Sequence, residues 1–504
     1  MHPKEMARPS LVIFGLDAAD PELILGWARD GCLPTIASII ERGTTGRLVG
    51  PEMISVHGVW TSFFSGISVQ DHGLYLQRPL RPGTYELRAL DPRDTSAPPF
   101  WANSPRVVMT VDVPDSLLLP RLNGIQVVNW GSHSVQAPAQ TQPPALLSEL
   151  RAVVGAPIAT DERQGSRWRD HRILSRIMRR IEQKGVLCRH LLAKNRFDLV
   201  VVVFGDSHAA GHRFRKYQRG VGNAAANDDH LRDGLRRTYA AIDGEIGRVL
   251  GEFSEPPNVF VVSNSGIIDG YPVGGWMEAF CSQLGYHTPI DSTRLLCKLE
   301  PHAPRMLGMW HTLLGARRRS RAQAKWLRTG TDWARTSAFS IPANYTGYVR
   351  VNLKGREPLG VIDRGAEYEA LLQRLEADFL QLVDADSGEA VIERVTQTAK
   401  LFDGTPPLRL PDMVVDWRPT CDSTRRIVHP HAVLVRRGVG PHRGNHHSRS
   451  GLVLAAGPSI RRCDLAVDFS PLEFAPLFRT LMGEPHVDGD VGGAVNAMLT
   501  GVAG

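Results

Sequence analysis

A continuous apolar run in the middle of the chain ends in a cluster of polar residues. Four consecutive valines at positions 200–203 predict a strand that is buried on both faces. Gly205 ends the run, and His208 and His212 follow shortly after it. In open α/β sheets, ligands bind beyond the carboxyl ends of the strands. If the segment after the strand is helical or tightly coiled, both imidazoles can reach one metal ion. The alternative is a surface turn that contains two histidines.

Shorter apolar runs alternate with helical patterns along the rest of the chain. This alternation favours an α/β fold with a large, mostly parallel central sheet and helices on both faces. We expect one domain over residues 1–504, with a basic helical cap inserted at residues 295–329. The further strands are predicted at residues 11–16, 106–113, 125–128, 258–263, 347–353, 413–417 and 452–456, and the longer helices at residues 145–192, 231–253 and 368–383.

Polar residues directly follow three of the predicted strands. Asp17 follows the first strand, His208 the valine strand and Asn264 the strand after that. Because the carboxyl ends of parallel strands share one edge of the sheet, these residues should lie close together. An acidic residue at such a position is either a helix cap or a metal ligand. Asp20 directly precedes a helix-initiating proline and fits the capping role better than Asp17 does.

The composition is that of an ordinary soluble protein and narrows the classes of partner. Charged residues make up 22% of the 504 residues, and the net charge of +7 is mildly basic. Part of this excess lies in a basic run at residues 317–328. Such a run is either a solvated helix face or a surface that attracts phosphorylated or sulfated substrates. The chain has neither aromatic residues interleaved with basic ones nor a basic stripe, which are the patterns that would indicate a nucleic acid as a partner.

The cysteines and the apolar stretches predict the cellular location. The six cysteines are scattered without a CxxC pair, which argues against a disulfide frame or a zinc ribbon. No apolar stretch is long enough to span a bilayer. The residues before the first strand contain no apolar core of a signal peptide. We therefore expect a cytoplasmic protein that functions without a membrane.

The chain contains, in this order, WTSFFSG followed by DHG, FGDSHAAGH and GNHHSRSGLVLAAGPSI. Together with further segments, this series resembles the alkaline phosphatase superfamily, in its type I phosphodiesterase/nucleotide pyrophosphatase branch. The opening strand–Asp–helix unit of that family is similar to GLDAADPELILGWARDGCLPTIASIIERG, its nucleophile segment to WTSFFSG followed by DHG, and its metal-binding turn to FGDSHAAGH. Its later core segments are similar to DWARTSAF, GYVRVNLKGREPLG and LPDMVVDW, and its C-terminal metal histidine to GNHHSRSGLVLAAGPSI. The resemblance implies an alkaline phosphatase-like α/β/α sandwich with inserted helical cap segments.

The resemblance also implies a metal site. In that family a pair of divalent metals, usually zinc, activates a Ser or Thr hydroxyl and stabilises the leaving oxygen. Asp17 would be a ligand on the nucleophile side, and His208, His212 and a C-terminal histidine would bind the other metal. His208 stands where the family more often has Asp, an exchange that zinc accepts because imidazole is also a zinc ligand. The C-terminal ligand is His446 by its motif or His447 by its spacing to the next strand, and we favour His447.

The nucleophile is predicted from the same resemblance. The family places a Thr or Ser a few residues before the aromatic residue that corresponds to Trp60. Ser55 is the nearest candidate, but it lies one residue further from Trp60 than usual, so a one-residue bulge would be needed to place it. Thr61 and Ser62 are the alternatives, and their structural interpretation is packing beside Trp60.

The chain departs from the family's pattern at residues 263–266. The family has Ser-Asp-His-Gly there, which supplies two ligands to the nucleophile-side metal, whereas this chain has Ser-Asn-Ser-Gly. The amide oxygen of Asn264 can bind a hard cation and the hydroxyl of Ser265 does so poorly; neither replaces a carboxylate and an imidazole for zinc. Three interpretations follow. The protein binds a single metal through His208, His212 and His447, or its site is adapted to a cation that binds more weakly than zinc, such as Mn, Mg or Ca, or it has lost the ability to hydrolyse.

Two functions are compatible with these residues. The first is metal-dependent hydrolysis of a small-molecule phosphodiester, pyrophosphate or phosphomonoester, or of a related phosphonate or sulfate ester. This reaction would use a Ser nucleophile and one or two divalent ions, with zinc as the first choice. The second is an impaired or single-metal member of the family that acts as a transferase or as a binding or scaffold protein, because the fold does not decide the function. The sequence leaves the oligomeric state open.

Overall fold

The chain divides into two compact units. The computed structural model describes residues 10–88, 97–131, 138–160, 166–218, 228–270, 272–290, 330–343, 345–419, 424–435, 444–484 and 498–499. The first unit combines Met1–Ser68, Pro92–Ile268 and His447–Gly504, and the second combines Val69–Asp91 and Asp269–His446. The predicted basic cap at residues 295–329 lies outside the described residues. That cap and the assignment of residues 1–504 to one domain stay predictions.

The regular elements of the described residues are numbered in chain order. The strands are β1 Leu11–Leu16, β2 Thr44–Leu48, β3 Val108–Val111, β4 Gly124–Val128, β5 Gln140–Gln142, β6 Leu199–Phe204, β7 Asn258–Ser263, β8 Ile267–Asp269, β9 Ala338–Ile341, β10 Gly347–Val351, β11 Val383–Asp384, β12 Ile392–Gln397, β13 Met413–Trp417, β14 Arg426–His429, β15 Ala432–Val435, β16 Asn445–His447, β17 Gly451–Ala456 and β18 Cys463–Phe469. The helices are α1 Pro21–Arg29, α2 Pro34–Arg42, α3 Val59–Ser65, α4 Val69–His72, α5 Leu146–Val154, α6 Arg167–Lys194, α7 Asp206–Gln218, α8 Asp229–Arg232, α9 Gly234–Leu250, α10 Gly274–Gln283, α11 Ala366–Leu380 and α12 Phe474–Met482.

A central sheet organises the first unit. Among the described residues it has nine strands in the order β18-β2-β17-β7-β1-β6-β3-β4-β5. β1 pairs in parallel with β6 on one side and with β7 on the other. β3 continues the parallel part beside β6, whereas β17 runs antiparallel to β7 and β2. The predicted large, mostly parallel sheet is confirmed.

The central strands are buried on both faces. Val12 and Phe14 of β1 pack in a core that includes residues of α1, α2, α6 and α9. Ile13, which points to the opposite face, packs in a second core with residues of α3 and α12. Every residue of β1, β6 and β7 is buried. Two-sided burial explains why these strands are continuous apolar runs in the sequence rather than alternating ones.

The second unit is built on antiparallel sheets. Its described strands form a four-stranded sheet in the order β12-β13-β10-β9 and a three-stranded sheet in the order β11-β14-β15. The predicted strands at residues 347–353 and 413–417 are β10 and β13, which pair with each other. Behind them, buried Arg356 pairs with Asp412 at 2.7 Å, and Tyr368 donates a hydrogen bond to the same carboxylate at 2.6 Å. The hydrogen bond of Tyr368 links α11 to the residue directly before β13.

In the described part of the chain, no single helix has both the length and the apolar character needed to cross a membrane. The helices α1 and α2 meet that test only as a pair, and the chain bends by 93° at the break between them.

Candidate metal centre

Three polar segments meet at the carboxyl edge of the central sheet. β7, β1 and β6 are adjacent and parallel, so the residues that follow them share one edge. Asp17 follows β1, Asp206 begins the helix after β6, and Asn264 follows β7. The sequence analysis expected this convergence. All residues described below as parts of the candidate centre belong to the first unit.

The helix α7 carries two histidines on one face. It begins at Asp206, directly after the strand and one glycine, and it places His208 and His212 one turn apart. Their ring centroids are 4.7 Å apart, and both side chains are buried, with relative exposures of 8% and 1%. The condition that the sequence analysis set for a shared metal, a helical segment after the strand, is therefore met.

Buried charges fix the start of α7. The guanidinium of Arg180 on α6 donates to Asp206 Oδ1 at 2.6 Å. The ammonium group of Lys184, also on α6, lies 2.9 Å from Asp112 Oδ2 and 3.8 Å from Asp206 Oδ2. Lys184, Asp112 and Asp206 have no exposed side-chain surface. Ion pairs of this kind keep the helix start in one position because breaking them leaves a buried charge uncompensated.

A third histidine completes a cluster with the two on α7. The ring centroid of His447 lies 4.8 Å from that of His208 and 5.0 Å from that of His212. One nitrogen of each ring lies within 4.8 Å of the others. Among the described residues, these three side chains form the one group that could hold a metal ion. We call His208, His212 and His447 the histidine cluster. A metal-binding role for these residues was predicted from the sequence, and it stays a prediction.

Asp17 lies beside the histidine cluster with both carboxylate oxygens in hydrogen bonds. Its Oδ2 is 2.8 Å from His208 Nδ1, and its Oδ1 accepts a hydrogen bond from the indole N–H of Trp60 at 2.9 Å. Asp17 is only 3% exposed. The structure therefore places Asp17 against the ring of His208, on the side of Nδ1.

Asn264 holds the backbone next to Asp17. Its Oδ1 accepts a hydrogen bond from the backbone N–H of Ala18 at 2.8 Å. Ala18 has a φ of 51°, in the left-handed region that residues with a side chain rarely adopt. The hydroxyl of Ser265, predicted as an alternative ligand, lies 3.5 Å from Nδ1 of His447. Asn264 and Ser265 both reach the centre, but the amide oxygen of Asn264 is already hydrogen-bonded to the backbone.

The predicted nucleophile lies in a turn that approaches the histidine cluster. Ser55 follows a 3₁₀ turn at Pro51–Ile54, is 5% exposed, and accepts a hydrogen bond from the N–H of His57 at 3.3 Å. His57 is close enough to His447 to influence its pKa. Thr61, an alternative nucleophile, lies on α3 beside Trp60 and is half-buried.

His446 lies apart from the histidine cluster. It belongs to the second unit, its ring is stacked on that of Tyr345 with centroids 6.0 Å apart, and it lies close against Gly270. Residues next to each other in a strand point to opposite sides, and both histidines are in β16. Of the two C-terminal candidates, the structure brings His447 to the cluster, which is the one that the sequence analysis favoured.

The electrostatics of the cluster suit a metal ion. Burial lowers the pKa of His447 well below its usual value, and the nearby rings of His208 and His212 lower it further. His447 is therefore neutral at pH 7, and the neutral imidazole is the form that binds metals. Nitrogens that share one zinc ion lie ~3.3 Å apart, from Zn–N bonds of ~2.0–2.1 Å, so the three rings would move closer together when they bind the ion. Three nitrogen donors fit a transition metal better than Mg or Ca, which prefer oxygen.

Sequence reasoning missed three contributors to this centre. Trp60 served only as the reference for the spacing of the nucleophile, but its N–H is the partner of Asp17. A buried indole N–H needs an acceptor, which is the signal that could have found it. His57 and Asp206 were also not assigned roles. For Asp206 the signal is its position between a buried strand and a helix, where a buried acid requires a cationic partner.

Comparisons with known proteins support the fold. No family model matches the chain, and no curated protein matches it by sequence. The structure is similar to that of phosphonoacetate hydrolase from Sinorhizobium meliloti 1021 in complex with phosphonoformate, with a TM-score of 0.52 and 13% identity over 94% of this chain and 95% of that chain. The structure of that enzyme with phosphonoacetate gives the same values. The alkaline phosphatase-like fold that the sequence motifs resembled is confirmed.

A looser similarity connects the chain to human ectonucleotide pyrophosphatase/phosphodiesterase 5. The TM-score is 0.47, with 10% identity over 98% of this chain and 100% of that chain. A TM-score below 0.5 supports no argument about this protein. At these levels of identity, the comparisons establish the fold and leave the activity to the chemistry of the site.

Proposed function

We propose that this protein is a metal-dependent hydrolase of a small-molecule phosphate ester or phosphonate, with one zinc ion bound by His208, His212 and His447. The observation that carries the proposal is the histidine cluster at the carboxyl edge of an alkaline phosphatase-like sheet. Structural zinc sites use four protein ligands, whereas catalytic sites use three and keep one position open. Among the described residues, the histidine cluster offers three ligands, which matches the catalytic type.

The protein groups around the cluster suggest how catalysis is divided. When bound, zinc supplies Lewis-acid stabilisation of the charge on a phosphoryl group. Ser55 is the proposed nucleophile, since it lies in the same turn as His57, which is close to the cluster. The turn is mostly buried, so a substrate bound there would be shielded from bulk water, which strengthens its electrostatic contacts.

A small anionic substrate is favoured over a polymer. The structurally similar hydrolase was solved with phosphonoacetate and with phosphonoformate, which are small phosphonates. The modest net charge of +7 on 504 residues gives no reason to expect strongly salt-dependent binding of a nucleic acid. We therefore propose a small-molecule phosphate ester, phosphonate or sulfate ester as the substrate.

Metal content and turnover test this function together. The purified protein should contain about one zinc ion per chain and hydrolyse bis-p-nitrophenyl phosphate, p-nitrophenyl phosphate or phosphonoacetate, with Mn, Mg and Ca as comparison ions. We expect His212→Ala and His447→Ala to lose the ion and at least ~100-fold of kcat/KM. His446→Ala is the matched control, since this neighbouring histidine lies outside the cluster, and it should retain both properties. Hydrolysis that survives in His208→Ala and His212→Ala alike would refute the assigned site.

The nucleophile has a separate test. Ser55→Ala should keep the metal ion and lose most of kcat, because the variant removes the hydroxyl without touching the histidine cluster. Thr61→Val, a near-isosteric change beside Trp60, should keep both. A Ser55→Ala variant that is as active as the wild type, paired with an inactive Thr61→Val variant, would assign the reaction to Thr61 instead.

A second candidate function is binding without hydrolysis. The observation that favours it is that Asn264 and Ser265 stand where the resembled family has a carboxylate and an imidazole, and that Asn264 is bonded to the backbone of Ala18. A binding or scaffold protein would carry no metal. It would hydrolyse none of the three test substrates in the presence of Zn, Mn, Mg or Ca. A bound zinc ion together with measurable turnover excludes this alternative.

A further inference from the structure

Asp17 is in the position of a group that orients a metal ligand. Its Oδ2 lies 2.8 Å from Nδ1 of His208, so a metal ion bound by this ring would be held through Nε2. Histidines that bind metals commonly donate their other N–H to a carboxylate, which fixes the ring and raises its basicity. The assignment of the proton to Nδ1 follows from this hydrogen bond, since an ionised carboxylate can only accept.

Trp60 holds the carboxylate of Asp17 in place. Its indole N–H donates to Oδ1 at 2.9 Å, in a buried contact. The indole is itself fixed by packing: its ring stacks on that of Phe64 with centroids 5.6 Å apart, and it meets the edge of Phe63. The N–H group at Oδ1 occupies one of the two lone-pair directions through which that oxygen could bind a cation.

Among the described residues, the His, Cys, Asp and Glu side chains form no group of three that includes Asp17 and could hold a second ion. Zinc is held by three or four protein ligands. The amide oxygen of Asn264, which was predicted as a ligand on the same side, accepts the N–H of Ala18 and thereby stabilises a backbone with a φ of 51°. Asn264 thus acts on the conformation of the turn that presents Asp17.

We infer that Asp17 is a positioning residue rather than a metal ligand, and that a Trp60–Asp17–His208 chain of hydrogen bonds orients His208 toward a single metal ion. This inference rests on the proposed function, because it presupposes that the histidine cluster binds a metal. It revises the role that the sequence resemblance implied for Asp17 and for Asn264, which would have been ligands on the nucleophile side.

The first measurement is the number of ions bound. The full-length protein, stripped with a chelator, is titrated with Zn²⁺ by calorimetry and with Co²⁺ by visible absorption, which reports the number and type of ligands. We expect one ion per chain. Asp17→Asn should still bind one ion with the same Co²⁺ spectrum, but about 10–100-fold more weakly, because the amide has one acceptor oxygen where the carboxylate accepts from both His208 and Trp60. His208→Ala should change the spectrum itself.

Two matched variants separate positioning from general damage. Asp233→Asn makes the same chemical change in an exposed pair with Arg236, and it should leave the metal affinity unchanged. Trp60→Phe removes the indole N–H and should weaken binding, but less than Asp17→Asn does. Trp168→Phe makes the same change at an exposed position on α6, and it should retain the wild-type affinity. Circular dichroism confirms that each variant is folded.

The possible outcomes distinguish this inference from the proposed function. A wild-type protein that binds no zinc or cobalt ion overturns the proposed function, and the inference with it. Two ions per chain, or an Asp17→Asn variant that loses an ion or changes the Co²⁺ spectrum, make Asp17 a ligand and overturn the inference alone. An unchanged affinity in both Asp17→Asn and Trp60→Phe overturns it as well. One ion, with weakened affinity and an unchanged spectrum, supports it.

Discussion

Gly15 lies within the apolar run of β1 because no larger residue fits there. A Cβ atom added at this position would lie 2.8 Å from Cη2 of Trp60 and 2.9 Å from Cγ2 of Val203. Both distances are shorter than carbon contacts allow, so the absence of a side chain is what lets the indole pack against the strand. Since the same indole donates to Asp17, a glycine in the sheet helps to place a polar group in the candidate centre.

A substitution of Gly15 should therefore affect both stability and metal binding. Gly15→Ala overpacks the core and should lower the free energy of unfolding by about 1–3 kcal/mol, while displacing Trp60 and weakening zinc affinity. Gly26→Ala on α1 is the control, because a Cβ there meets no atom within 4 Å, and it should stabilise the helix by up to about 1 kcal/mol. Urea unfolding and zinc titration measure both effects. A Gly15→Ala variant that matches the wild type in both would contradict this explanation.

His72 should make the second unit sensitive to mild acid. Burial lowers the pKa of His72 to about 4, with a further contribution from Arg409, and its Nδ1 accepts the N–H of Leu74 at 3.0 Å. In the unfolded chain the pKa is about 6.5. Stability is therefore complete above pH 6.5 and is lost as the pH falls toward 4, by roughly 3 kcal/mol for this residue.

An asparagine at position 72 provides the test. His72→Asn keeps an acceptor for the N–H of Leu74 but does not titrate, so its unfolding free energy should fall less between pH 7 and pH 4.5. The measurement is urea unfolding in the presence of a chelator, so that the histidine cluster carries no metal. Burial also lowers the pKa of His287 to about 4, so adding His287→Asn should flatten the profile further. Equal pH profiles for the wild type and the double variant would show that these histidines do not control acid stability.

At the scale of elements, α7 depends on one buried carboxylate of α6. Asp170 accepts hydrogen bonds from Arg213 at 2.6 Å, from Lys216 at 2.8 Å and from the hydroxyl of Tyr217 at 2.5 Å. Asp170 and Arg213 have no exposed side-chain surface. Arg213 lies one residue beyond His212, and Lys216 and Tyr217 lie about one turn beyond it. Two anchors between α6 and α7, one at Asp206 of α7 and one at Asp170 of α6, thus hold the helix that carries two members of the histidine cluster.

Removal of the carboxylate of Asp170 should destabilise the folded protein. Asp170→Ala leaves the charge of Arg213 buried and uncompensated, so we expect a loss of about 3–5 kcal/mol in the free energy of unfolding and a weaker affinity for zinc. Asp233→Asn breaks an exposed pair with Arg236, in which both side chains are nearly half exposed, and should change stability by no more than about 0.5 kcal/mol. Denaturant unfolding compares the two. Similar losses in both variants would show that burial of the pair is not what matters.

The elements also show what the sequence could predict and what it could not. Burial on both faces makes β1, β6 and β7 continuous apolar runs, and the spacing of His208 and His212 fits a single helical face. The pairing of β10 with β13 in a separate antiparallel sheet depends on contacts between distant residues, which local patterns do not encode. The choice between His446 and His447 depends on which side of β16 each faces, and the register of a strand is set by its partner. The contact from Trp60 to Asp17 spans 43 positions and carries no local signal.

At the scale of the whole molecule, the candidate centre and the acid-sensitive histidines belong to different units. Asp17, Trp60 and the histidine cluster are all in the first unit, whereas His72 and His287 are in the second. A ligand that binds only the folded state stabilises it by RT ln(1 + [L]/Kd), or about 2.7 kcal/mol at a concentration of 100 times Kd. If the units open independently, zinc stabilises the one that contains its ligands.

Hydrogen exchange can locate that stabilisation. Zinc at 100 times its Kd should slow amide exchange in peptides that contain β1, β6 and α7, because their opening releases the ion, by up to about 100-fold. Peptides from β10 and β13 should exchange at unchanged rates. His447→Ala should abolish the slowing, and His446→Ala should retain it, since the adjacent side chain lies outside the cluster. Equal slowing in both units would mean that they open together, and slowing confined to the second would place the metal site elsewhere.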